Sequence, residues 1–262
     1  MKAARVAAPA KWPISDGALI GITGPSGSGK TTTLKSLCKQ YKVLVADADG
    51  HARMRLRDEV TAGMCIVKRV NTYDAATNLV VELRDGHQDI HVVAVDSLSL
   101  LSERLVREAT VAAEKDTPEK QERLGASDRL RNLFLEFAKL ADPDEYEHPR
   151  HVIFTCLEGR WKVGEVAQGK EGFTSKRTVP LEEGAVGSIF YGPLLPGKFA
   201  DDFSAWMTEN FRLIVVPKGG KRERWFVTDY DGQFLAKDVS GRLDFHEPAD
   251  LLKVLEKIYA KG

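Results

Sequence analysis

The sequence predicts an α/β fold: a mostly parallel sheet flanked by helices, finished by a C-terminal antiparallel hairpin. Three observations lead there. Four short apolar runs recur along the first 156 residues, each of strand length. Segments with apolar residues at helical spacing separate most of them. Late in the chain, two amphipathic runs are split by Lys218-Gly-Gly-Lys-Arg222, a hairpin signature. Residues 1–17 are rich in Ala and Pro without a period and read as an arm. Residues 18–262 read as one domain, because no linker divides them.

The elements follow in order. Ala18 to Thr23 is the first apolar run and leads into a glycine-rich loop; Thr31 to Gln40 has helical composition. Lys42 to Asp47 is the second strand, and a weak strand lies around Cys65–Val70. Tyr73, Ala76, Val80 and Leu83 predict a helix over 72–84. Val92 to Asp96 is the third strong strand. Two helices follow, about 99–114 and 120–141, the second with Leu130, Leu133, Phe134, Phe137 and Leu140 as its stripe. Val152 to Cys156 is the next strand. The stretch 158–196 is long and aperiodic, so a functional loop is expected there. A helix over 198–211 would align Phe199, Phe203, Trp206 and Phe211. Strands over 212–217 and 224–230 form the hairpin, and Pro248 opens a last helix with Leu251, Leu255 and Ile258 inward.

Composition excludes several classes. The 262 residues are 43% hydrophobic and 29% charged, which suits a folded globular chain. No apolar stretch is long enough to span a membrane, and the N-terminus lacks the apolar centre of a signal peptide. Thirty-eight basic and 38 acidic residues balance to zero, which argues against bulk electrostatic binding of nucleic acid but allows a local basic loop. Three widely spaced cysteines and no CxxC point away from disulfides and zinc and toward a reducing cytoplasm.

Gly24-Pro25-Ser26-Gly27-Ser28-Gly29-Lys30-Thr31 matches G-x-x-x-x-G-K-[ST] in full, with Thr32 beside it, between a strand and a helix. Such a loop turns several backbone N–H groups toward one anion. Lys30 reaches the β- and γ-phosphates of ATP, and the Thr31 hydroxyl ligates Mg²⁺. A carboxylate from a neighbouring strand end must complete the metal site, and Asp96, after four apolar residues, supplies it.

Asp47-Ala-Asp49 and Val95-Asp96-Ser97 resemble two motifs of the RecA family. In that family a strand ending Asp-Ala-Glu supplies the catalytic carboxylate, and the magnesium strand reads Val-Asp-Ser. The resemblance therefore implies a RecA-like P-loop NTPase fold and gives Asp49 the activation of water. The later order of motifs is similar to the small phage-encoded RecA-like ATPases, including Sak-type single-strand-annealing recombinases. Those motifs are His151 to Thr155, Gly192 to Lys198, Ala236-Lys237-Asp238 and Ser240-Gly-Arg242. Where RecA proteins place a sensor Gln after the fourth strand, this chain has none, so Thr155 or Glu158 takes that place.

The resemblance implies an ATP-hydrolysing protein of phage recombination or replication, in the cytoplasm of the infected host cell. It also implies a ring or filament in which Lys237, with Arg242, reaches a neighbour's γ-phosphate. RecA-like proteins hold DNA in the loop after the sensor strand. Here 159–177 carries Arg160, Trp161, Lys162, Lys176 and Arg177, cations beside an aromatic ring that suit single-stranded DNA. Two other readings stay open: a nucleotide-binding assembly or virion-associated protein, and a small-molecule kinase.

Overall fold

Four of the apolar runs become parallel strands because each is buried on both faces and leaves no polar side to face water. The computed structural model describes residues 17–146, 148–162 and 189–260, with the side chains of 161 and 162 outside that description. The strands are β1 (Leu19–Gly24), β2 (Val43–Asp47), β3 (Cys65–Arg69), β4 (Val92–Asp96), β5 (His151–Lys162), β6 (Ile189–Pro193), β7 (Glu209–Lys218), β8 (Lys221–Val227), β9 (Lys237–Asp238) and β10 (His246–Pro248). The helices are α1 (Lys30–Thr33), α2 (Ala52–Arg55), α3 (Arg57–Thr61), α4 (Tyr73–Asp85), α5 (Leu98–Ala112), α6 (Lys120–Ala138), α7 (Gly197–Trp206) and α8 (Leu251–Ile258).

The sheet runs β10-β8-β7-β1-β5-β4-β2-β3, with β6 on β5 and β9 on β7. From β7 to β3 every pairing is parallel; β8 and β10 add the expected antiparallel edge. Alternate residues feed two cores. Leu44 and Ala46 face α4, α5, α6 and α7 with Phe134, Phe154, Phe199 and Phe203; Val43 and Val45 face the other side with Leu34, Phe211, Phe226, Leu251 and Leu255. All parallel strands end on one side of the sheet. Asp47 stands beside Asp96 in register, and the turn after β1 opens on that side too.

Four expectations need correction. The helix expected over 31–40 is one α-helical turn followed by a 3-10 segment, Leu34–Lys39. Thr33 and Ser36 donate to the carbonyls of Lys30 and Thr33, and such local bonds loosen a helix. The helix expected to reach 211 ends at Trp206; Phe211 lies in β7, where pairing with β1 begins at Glu209 and puts it in the opposite core from Phe203. Pro248 does not open the last helix. It ends the edge strand β10, where a missing N–H is tolerated, and Asp250 caps α8 by accepting from Lys253 N. The strand expected to end at Cys156 runs on to Lys162, because β6 returns beside it from Ile189 to Pro193.

Candidate nucleotide site

The loop after β1 has the conformation an anion requires. Gly27 and Gly29 sit at φ 74° and 102°, a region that side chains disfavour, and Gly29 opens α1, which includes Lys30, Thr31 and Thr32. Pro25, Ser26 and Gly27 are exposed, whereas Ser28 is buried and its N–H bonds the Pro25 carbonyl at 3.2 Å. Lys30 is only 7% exposed. Its ammonium lies across the loop, donating to the carbonyls of Gly24 at 2.7 Å and Pro25 at 2.9 Å. Burial pulls its pKa down, and the charge of Asp96 pulls it back up.

Across from Lys30, the Thr31 hydroxyl donates to Asp96 Oδ2 at 2.6 Å. Thr155, from β5, donates to Oδ1 at 2.5 Å. Burial raises the Asp96 pKa, while the Thr155 and Thr31 hydroxyls oppose it. The neighbouring strands and helix free this carboxylate from capping duty. Ser97 caps α5 by accepting from Leu100 N, and Ser99 accepts from Leu157 N at 2.9 Å. An alcohol and a carboxylate oxygen side by side fit Mg²⁺, which binds through one or two protein oxygens plus substrate phosphates. Among the described residues no larger cluster of His, Cys, Asp or Glu is arranged for a metal.

The other acids at the strand ends differ in freedom. Asp47 is buried; its Oδ1 accepts from Gly50 N at 2.6 Å and its Oδ2 lies 3.8 Å from Arg69. Asp49, two residues past the end of β2, has a side chain 42% exposed, with His51 at 3.9 Å. Glu158 accepts through both its oxygens from one edge of Arg212, from Nε at 2.7 Å and Nη2 at 3.3 Å, and Arg212 also reaches Asp231 at 3.6 Å and stacks over the Tyr191 ring at 3.8 Å. The charges of Asp96, Glu158 and Asp49 all favour the protonated form of Lys30, against the burial that lowers its pKa.

Lys237 and Arg242 are placed elsewhere. Lys237 donates to the Ala205 and Met207 carbonyls at the end of α7, and Arg242 donates to the Ile258 and Ala260 carbonyls at the end of α8. In this chain each secures a helix C-terminus. Arg160 is exposed on β5; Lys176 and Arg177 lie outside the described residues, as do the side chains of Trp161 and Lys162.

Beside Lys237 a carboxyl pair bridges β7 and β9. Glu209 is 2% exposed, and burial, then the charge of Asp238, pushes its pKa up to about 8. The pH dependence follows from that direction. An acid titrating higher folded than unfolded stabilises fully below the unfolded value of 4.5, and that contribution is lost as pH rises toward 8. Glu209→Gln keeps a donor toward Asp238 without ionising. Its stability should therefore fall less than the wild type's between pH 4.5 and 8, by on the order of a few kcal/mol in denaturant titrations. Parallel curves would show that Glu209 is not buried as an acid.

Sequence reasoning gave two arginines no role at the nucleotide site. Arg212 interrupts an apolar strand, a signal that it meets buried acids. Arg224 donates from β8 to the Ser28 carbonyl, 196 residues away, and nothing local marks it.

A family profile described as an AAA domain, AAA_24, matches residues 16–185. No curated protein matches the chain significantly. Among solved structures, a KaiC-like protein from the hyperthermophilic archaeon Pyrococcus horikoshii OT3 overlays with a TM-score of 0.43 at 14% identity, over 81% of this chain and 78% of that one. The flagellar accessory protein FlaH from Methanocaldococcus jannaschii gives 0.34 at 14%, over 80% and 77%. An ATPase from the type III secretion system of pathogenic bacteria gives 0.46 at 15%, over 76% of this chain and 52% of its own.

Proposed function

The chain belongs to the AAA_24 family of AAA domains and is a P-loop ATPase, and from that premise we propose that it couples turnover of Mg·ATP to work on single-stranded DNA. One observation carries the nucleotide half: Lys30, Thr31 and Asp96 converge on one loop, with the Thr31 hydroxyl 2.6 Å from the Asp96 carboxylate. In this reading the loop amides and Lys30 take the phosphates. Thr31 and Asp96 would hold Mg²⁺, which would supply positive charge to neutralise the phosphates. Asp49 orients and deprotonates the attacking water. The support for Asp49 is its freedom: Asp47 is committed to Gly50 and Arg69, and Glu158 to Arg212.

The DNA half rests on placement. β5 separates the phosphate-loop strand from the Asp96 strand, and its far end carries Arg160, Trp161 and Lys162 into the 159–177 segment. In this reading the basic, aromatic segment, continuous in sequence with the strand that bears Thr155, couples polymer binding to the nucleotide. A ring or filament of copies, in the setting of phage recombination or replication, belongs to the same proposal. The test is ATP turnover with and without single-stranded DNA, beside DNA binding over a salt series. Replacing Arg160, Lys162, Lys176 and Arg177 with Ala should weaken binding and flatten the salt slope by ~0.7 for each phosphate no longer neutralised. A wild type with no single-strand affinity at low salt in the presence of ATP would overturn the DNA half and favour an assembly role.

A further inference from the structure

The phosphate loop is braced from outside by a residue of the C-terminal hairpin. Arg224 Nε donates to the Ser28 carbonyl at 2.8 Å. Its guanidinium also lies against Gly29: a Cβ built on that glycine would come within 2.4 Å of Arg224 Nε and 3.1 Å of Cδ and Cζ. The φ of 102° at Gly29 calls for glycine, and a side chain there would also push Arg224 off the loop. The placement of Arg224 is built in. Val215 opposes it across the β7–β8 ladder, β7 pairs with β1, and Ala249 N holds the Arg224 carbonyl at 3.1 Å.

We propose that Arg224 is a positioning residue for the nucleotide, acting through the Ser28–Gly29 peptide rather than by touching phosphate. This rests on the ATP-binding reading of the loop. A cation on the Ser28 carbonyl polarises that peptide and makes the Gly29 N–H a stronger donor toward an anion. It also fixes the peptide plane before ligand arrives, so less ordering remains to be done on binding. The hairpin thereby becomes part of the nucleotide site, although its sequence contains no phosphate motif. Arg222 lies two residues away on the same face of β8, opposite Pro217, and has no role in this brace.

The test compares wild type with Arg224→Ala, Arg224→Gln, Arg224→Lys and, as control, Arg222→Ala. Affinity for a fluorescent ATP analogue with Mg²⁺, KM and kcat for ATP, and melting with and without ATP are read for each. Arg224→Ala should raise Kd and KM about 10-fold, the scale of one missing charge-assisted hydrogen bond, with kcat within about 2-fold. Arg224→Lys, which can still donate to Ser28, should recover part of the affinity, and Arg222→Ala should match wild type. Should Arg224→Ala not fold, Arg224→Gln, neutral and close in length, gives the same reading. Unchanged Kd and KM in Arg224→Ala or Arg224→Gln, or a lower melting temperature with no change in affinity, would overturn the proposal. Wild-type protein that binds no Mg·ATP would remove the ATPase reading with it, whereas wild-type binding with an unaffected Arg224→Ala removes the brace alone.

Discussion

Lys30→Ala should abolish measurable binding of ATP. The lysine is buried and its ammonium already sits on two loop carbonyls, so the variant loses more than its reach to phosphate. The Gly24 and Pro25 carbonyls lose their donor, and the β- and γ-phosphates face a loop without its internal cation. Removing one partner of a buried charged interaction costs about 3–5 kcal/mol, which is more than 100-fold in affinity. Calorimetric titration with Mg·ATP is the measurement. Tight binding by the variant would mean that the loop is a glycine-rich turn and not the nucleotide site.

Asp96→Asn and Asp49→Asn should separate metal binding from water activation. Asn at 96 is nearly isosteric and can still meet Thr31 and Thr155, so the fold should persist. The missing negative charge should remove the Mg²⁺-dependent part of ATP affinity, and turnover with it. Asn at 49 leaves the phosphate loop untouched, so binding should remain while turnover slows by ~100-fold or more, the scale of a lost general base. Normal turnover in Asp49→Asn would remove the base from that position and direct attention to Glu158. Mg²⁺-dependent affinity surviving in Asp96→Asn would displace the metal site from β4.

What could be read from the sequence was what is local. Gly24 to Thr31 carries its chemistry in eight consecutive residues, and Val92 to Asp96 shows strand and carboxylate together, so the core of the site was legible. The two-faced burial of β2 and β4 likewise showed as unbroken apolar runs. What was hidden depends on pairings across the chain. Glu158 reads as a free acid until Arg212, 54 residues on, takes both its oxygens. The helix ends that Lys237 and Arg242 secure within the chain, those of α7 and α8, lie 30 and 16 residues away in sequence. Phe211 fits the helical spacing of Phe199 and Phe203, and only pairing of β7 with β1 assigns it to a strand. Spacing alone cannot decide between helix and strand where aromatic residues continue across the boundary.

The length of β5 has a mechanical consequence. From Glu158 to Lys162 the strand leaves the main sheet and pairs with β6, about 13 Å of ribbon on the strand rise. β6 is tied in turn to the 233–234 segment, Tyr191 N donating to the Gln233 carbonyl at 2.7 Å, and Arg212 grips the ribbon through Glu158 and the Tyr191 ring. Thr155, which meets Asp96, lies three residues before the ribbon begins, so one continuous strand joins this anchored extension to the oxygens of the candidate metal site.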